Sequence, residues 1–113
     1  MSFFQSDVVR AEMAEIHELQ EEIYSNVFKF PTMKREDQKY HVDILERLLE
    51  KQKVMYARLS LSDDPEAKAM KESIDESTKM LGLQQDSDPA ALFKMMQDTI
   101  VHLRQIVKNR LDK

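Results

Sequence analysis

Apolar residues recur along this chain at steps of three and four and rarely alternate with polar ones, the pattern of amphipathic helices rather than strands. Val9, Met13, Ile16, Gln20, Ile23 and Val27 mark one stripe and predict a first helix over about residues 6–28. Ser6 is placed to cap its start, because a serine hydroxyl accepts from a free N–H of the first turn. The stretch Lys29-Phe30-Pro31-Thr32 ends it. Pro31 disfavours helical geometry at Phe30, and Thr32 is suited to cap the next element.

A second helix is predicted over about 33–60. Tyr40, Ile44, Leu48, Met55 and Leu59 form one stripe, and Leu45, Leu49 and Tyr56 form another beside it. At about 100° per residue the two cover roughly 200°, twice the stripe of a helix with a single neighbour. This helix should be covered from more than one side, with Leu48 at the centre of the seam. Asp64 then caps a third helix over about 65–81, with Pro65 at its first position and Glu66 at the positive end of its dipole. Gly82 sits where a left-handed C-terminal cap is wanted. Asp88 and Pro89 repeat the start signal, and Leu92, Met96, Ile100, Leu103 and Val107 carry a fourth helix over about 89–111.

The pattern implies one all-α domain over residues 1–113, a mainly antiparallel arrangement of four helices. Charge adds a detail. The four successive segments 1–28, 29–60, 61–88 and 89–113 carry net −5, +3, −5 and +3. That alternation favours contact between consecutive helices, although each exposed pair contributes less than about 1 kcal/mol. The overall charge of −4 gives no general attraction to nucleic acid or an anionic membrane. No run approaches the roughly 18 apolar residues of a membrane span, and Gln5, Ser6 and Asp7 interrupt any signal-like start. With no cysteine there are no disulfides, thiolate metal sites or thiol nucleophiles, which suits a cytoplasmic setting.

Catalytic and metal chemistry find little support. None of His17, His41 and His102 has a glutamate three residues earlier, so the paired Glu-x-x-His ligands of carboxylate-bridged bundles are absent. His41 falls within the apolar arc of the second helix, one turn after Asp37, and is expected to be a partly buried, satisfied histidine. Glu12, Glu15, Glu18, Glu21 and Glu22 are expected to form a solvated outer face. There is no glycine-rich phosphate loop and no nucleophile elbow. We therefore expect no catalytic, cofactor-binding or metal-binding residues and no cofactor.

The surfaces that remain are for binding. Phe3 and Phe4 precede the first helix and are expected to pack on their own domain or a dimer partner, with insertion into another protein's groove as the sharper alternative. Lys34, Arg35 and Lys39, with Lys29, surround the first turn and could meet an acidic partner or phosphates. Tyr40, Ile44, Leu48, Met55, Tyr56 and Leu59 are the candidate core or dimer seam. Eight methionines suit core filling or a surface that repacks around partners.

The stretches Phe3-Phe4-Gln5-Ser6-Asp7-Val8-Val9, Arg35-Glu36-Asp37-Gln38-Lys39 and Arg58-Leu59-Ser60-Leu61-Ser62-Asp63-Asp64-Pro65-Glu66-Ala67-Lys68 resemble a small cyanobacterial and cyanophage family, domain of unknown function 1825. The resemblance covers nearly the whole chain. It implies a cyanobacterium or its phage as the source and an intracellular setting (the host cytoplasm in the phage case), not a reaction. The expectation from the sequence is a non-catalytic helical binding or regulatory module, homodimeric and acting through contacts with an unidentified protein. The alternative is a nucleic-acid- or transcription-associated accessory protein using the basic first turn.

Overall fold

Val9, Met55, Leu59 and Ala67 are buried together, and Val42, Leu49, Ile100 and Val107 form a second buried cluster. The second predicted helix supplies residues to both. In the computed structural model, which describes residues 3–80 and 89–110, the elements are all helical. A 3₁₀ turn Phe3–Gln5 leads into α1 (Asp7–Asn26), and a 3₁₀ turn Val27–Thr32 leads into α2 (Arg35–Leu61). α3 (Pro65–Met80) and α4 (Pro89–Asn109) follow. The four helices match the sequence expectation to within two residues at each end. The expected caps Gly82 and Asp88, and the third break around them, lie outside the described residues.

α2 packs against all three other helices, as its double stripe requires. Glu12 meets Arg58 and Glu15 meets Arg47 and Lys51, so α1 runs antiparallel to α2. On the other flank Arg35 reaches Val107, Arg104 reaches Asp43 and Glu46, and Tyr56 stacks edge-on against Phe93. α4 is therefore antiparallel to α2 as well, and parallel to α1. α3 turns back along the C-terminal half of α2, where the Tyr56 hydroxyl donates to Asp75 at 2.9 Å. The result is elongated and flat, 55 × 35 × 18 Å. Its radius of gyration of 16.3 Å exceeds the ~13 Å of a compact chain of this length.

Local chemistry explains the element boundaries. Asp64 caps α3 as expected: its carboxylate accepts from the Glu66 N–H at 2.8 Å, and also from the Phe3 N–H at 2.7 Å. One side chain thus starts α3 and pins the N-terminal turn. Phe3 and Phe4, edge-to-face at 5.0 Å, pack on the Val9–Met55–Leu59–Ala67 cluster, so they belong to their own domain. Ser6 makes no side-chain cap; its backbone carbonyl takes the Arg10 N–H, and its own N–H goes to the Phe3 carbonyl of the preceding 3₁₀ turn. Thr32 does not cap α2. The first turn tightens into 3₁₀ geometry around Pro31, the Thr32 hydroxyl donates to the Lys29 carbonyl, and α2 begins after Lys34. The Gln38 amide donates to the Phe30 carbonyl at 2.7 Å and ties this turn to α2.

Among the seam candidates, Met55 and Leu59 are buried, while Ile44, Leu48 and Tyr56 are half-buried. Tyr40 is 57% exposed and lies outside the chain's own core. Leu49, 1% exposed, rather than Leu48, is the most deeply buried residue at the middle of α2. One residue is a 100° rotation, enough to move a side chain from the α4 contact to a surface between helices. Glu12 and Glu15 also depart from the solvated face expected of them, since their side of α1 turns toward the cations of α2.

Two outcomes follow. Leu49→Ala should cost about 2–5 kcal/mol, while Glu50→Ala on the exposed back of α2 should change stability by less than about 0.5 kcal/mol; urea melts of the two variants check this. The Phe3 and Glu66 amides hold the Asp64 carboxyl below its ordinary 3.8. Its contribution is therefore complete above that value and is lost as pH falls through the lowered folded value. Asp64→Asn should accordingly flatten the acid limb of the stability-versus-pH curve.

Candidate functional site

Over the middle of α2 the flanking helices leave a shallow gap, above a floor in which Leu49, Met55 and Leu59 are themselves buried. Between α1 on one bank and α3 and α4 on the other, an apolar trough of about 520 Å³ runs over Gln52, Met55, Tyr56 and Leu59. Met13, Ile16, His17 and Gln20 form the α1 bank; Met70, Ile74, Leu92, Phe93 and Met96 form the other. A second section of about 170 Å³ continues it over Leu45, Leu48, Leu49 and Gln52 toward Thr99, Ile100 and Leu103. The two sections share Gln52 and Met96. Four methionines line the larger one, side chains that repack readily around different shapes. Met70 is 38% exposed at its edge, and His17 and Thr99 are exposed on opposite banks.

The trough accounts for Leu48 and Tyr56, which the sequence placed in a seam and the structure places on its floor. It also brings in Met13, Gln20, Gln52, Phe93, Met96 and Leu103, none of which stood out as site residues. The signal was present in the wide apolar arcs of α2 and α4. What the stripes alone do not reveal is how the arc divides between neighbours of the same chain and open surface.

The basic first turn divides differently. The Arg35 guanidinium donates to the Val107 and Lys108 carbonyls at 3.1 and 3.0 Å, where the negative end of the α4 dipole emerges. Arg110 in turn donates to the Met33 carbonyl at 2.6 Å. These arginines fasten the end of α4 to the start of α2. Lys29, Lys34 and Lys39 are exposed. A cleft of about 450 Å³ behind them is lined by Arg35, Glu36, Lys39, Val42, Arg104, Val107 and Lys108, but Arg104 is already paired with Asp43 and Glu46.

His41 is buried against Phe30, ring centroids 5.3 Å apart. Burial holds its pKa below 6.5, opposed by the Glu22 charge. It opens on a polar cleft of about 290 Å³ with Glu22, Asn26, Lys29, Asp37 and Tyr40. His17 pairs with Glu21 at 3.0 Å and His102 is exposed. Lys51 and then Arg47 hold the Glu15 carboxyl below the usual carboxylate range. Among the described residues no three of His, Cys, Asp and Glu are placed to hold a metal ion, and no helix is long and apolar enough to cross a membrane.

Residues 1–107 match the family described as Domain of unknown function (DUF1825). The chain belongs to this family. Neither a curated protein nor a solved structure matches it. Family membership spans all of the trough and both ends of α2, so the site is part of the family's own domain. It names no chemistry for that site.

Arg35→Ala should leave the trough intact but lower stability by about 1 kcal/mol, because α4 loses its C-terminal counter-charge and two hydrogen bonds. Thermal melts with retained helical circular dichroism check that outcome.

Proposed function

We propose that this DUF1825 protein is a non-catalytic helical binding and regulatory module that acts through protein–protein contacts. The apolar trough over the middle of α2 carries this reading, because a surface of this kind on a helical domain is suited to receive another helix. In this reading the protein is a homodimer that works in the cytoplasm of a cyanobacterium or of a phage-infected cell, and it is not an enzyme. Its contacts are apolar over Leu48 and Met96, with the Gln52 amide between them, and polar at the rims.

A nucleic-acid-associated role is the second reading, favoured by the exposed Lys29, Lys34 and Lys39 around the first turn. It is weakened by Arg35, whose guanidinium is engaged with α4. The two readings differ in salt dependence, since phosphate contacts lose affinity steeply as salt rises.

Sedimentation velocity over a wide concentration range is the direct test. Wild type should pass from monomer to dimer. Met70→Arg and Thr99→Arg, both at exposed positions of the trough edge, should weaken the dimer by at least about tenfold, which is 1.4 kcal/mol, with unchanged melts. Lys34→Glu with Lys39→Glu should leave it unaltered. Retention on DNA or RNA that falls with salt and is abolished by the lysine variants would favour the second reading instead.

A further inference from the structure

We infer that His41 makes the first turn acid-responsive: on taking up a proton it leaves the Phe30 ring, and the turn Val27–Thr32 opens away from the start of α2.

The first observation is where the imidazole stands. His41 is 6% exposed, its ring centroid lies 5.3 Å from that of Phe30, and among the described residues it makes no hydrogen bond or ion pair. A buried imidazole without a partner is stable only when neutral. The charged form would lose its hydration there and gain no bond in exchange. The contact with Phe30 therefore holds for one protonation state only.

The groups that face the ring come from three elements. α1 supplies Glu22 and Asn26, the turn supplies Lys29, and α2 itself supplies Asp37 and Tyr40, all around one polar cleft. From the end of α4, Arg110 donates to the carbonyl of Met33, which lines the same cleft. Burial outweighs the Glu22 charge and holds the imidazole below 6.5. A proton is thus accommodated better with the ring turned into the cleft, beside Glu22 and Asp37, than with the ring against Phe30.

The second observation is that the turn is lightly held. None of its residues is buried, and Phe28 points into solvent. Phe30 alone reaches the Val42–Leu49–Ile100–Val107 cluster. The buried Gln38 donates its amide to the Phe30 carbonyl at 2.7 Å, yet its own Oε1 is buried with no hydrogen-bond partner. A buried acceptor left unpaired is costly, and opening the turn returns it to water. Removing the His41 ring takes away one wall of the Phe30 seat, so the charge change at one side chain is passed to the backbone of the turn.

The sign of the effect follows from the lowered value. Below 6.5 the open turn binds more protons than the closed one, so closure is fully present above 6.5 and weakens as pH falls toward the lowered value. One proton changes the opening equilibrium by at most about tenfold per pH unit.

Hydrogen exchange on the full chain, read by nuclear magnetic resonance as protection factors, tests this. The Met33 N–H, which donates to the Phe30 carbonyl at 3.2 Å, should keep its protection above pH 7 and lose up to about tenfold per unit between pH 6.5 and 5. The Leu49 amide should not change over that range. His41→Phe keeps a ring against Phe30 that cannot titrate, and should abolish the loss. In wild type the His41 Cε1 proton should titrate below 6.5 in step with the ring signals of Phe30, a readout independent of whether the variant folds. Protection of Met33 that is constant or rises in acid, the same loss in His41→Phe, or titration of His41 at or above 6.5 would each overturn the inference.

Discussion

α2 contacts every other helix, and the structure depends on how its apolar surface is shared. A helix with one neighbour needs a stripe of about 100°; α2 has roughly twice that. One side of the arc, with Met55 and Leu59, is buried under α1, α3 and the N-terminal turn. The other, with Val42 and Leu49, is buried under α4. Neither cluster contains enough large side chains to stand for a whole core, and no buried residue belongs to both. The domain is consequently two small cores strung on one helix, which accounts for its length and flatness.

The helices and their order were legible because periodicity is a property of each segment alone. Asp64 and Pro65 announced α3 correctly, since a cap and a first-turn proline act within a few residues of themselves. Ser6 and Thr32 announced caps that did not form: the Ser6 side chain makes no cap bond, and Thr32 falls inside the 3₁₀ turn, where its hydroxyl goes to the Lys29 carbonyl. Leu48 and Leu49 both sit inside the apolar arc, and nothing in the spacing states which of them meets α4. The deeper one is fixed by the crossing of two helices, a tertiary fact.

The candidate site was less legible, for a related reason. Its α1 bank includes Gln20, His17 and Met13, of which only Met13 reads as apolar, and its floor includes Gln52. The first stripe does collect Met13, Ile16 and Gln20, but a trough is defined by the gap between elements, and no stripe of one helix shows which residues of α2, α3 and α4 face it across that gap. Arg35 shows the converse. Within the sequence it is one member of a basic cluster; in the fold it is the C-terminal counter-charge of a helix 72 residues away. Charge near a turn indicates a surface only when tertiary structure leaves it unspent.

The polar contacts around α2 lie at its ends and along its back. At its C-terminal end Asp64 ties Phe3 to the start of α3, and Tyr56 meets Asp75. At its N-terminal end Arg35 and Arg110 tie α4 to the first turn. In the middle, Arg104 bridges to Asp43 and Glu46, and Glu15 bridges to Arg47 and Lys51. On the α2 wheel Asp43 and Arg47 lie roughly half a turn from Leu45 and Gln52 at about 100° per residue. The flanking helices are therefore fastened to α2 along its back by ion pairs and at its ends by hydrogen bonds, while the front between Leu45 and Leu59 carries apolar side chains, the Tyr56 ring and the Gln52 amide. Each of these exposed pairs contributes less than about 1 kcal/mol, so they bias α1 and α4 toward the back of α2 without setting their distance. The apolar clusters under each flanking helix hold the banks in place, and the trough lies where the two clusters do not meet.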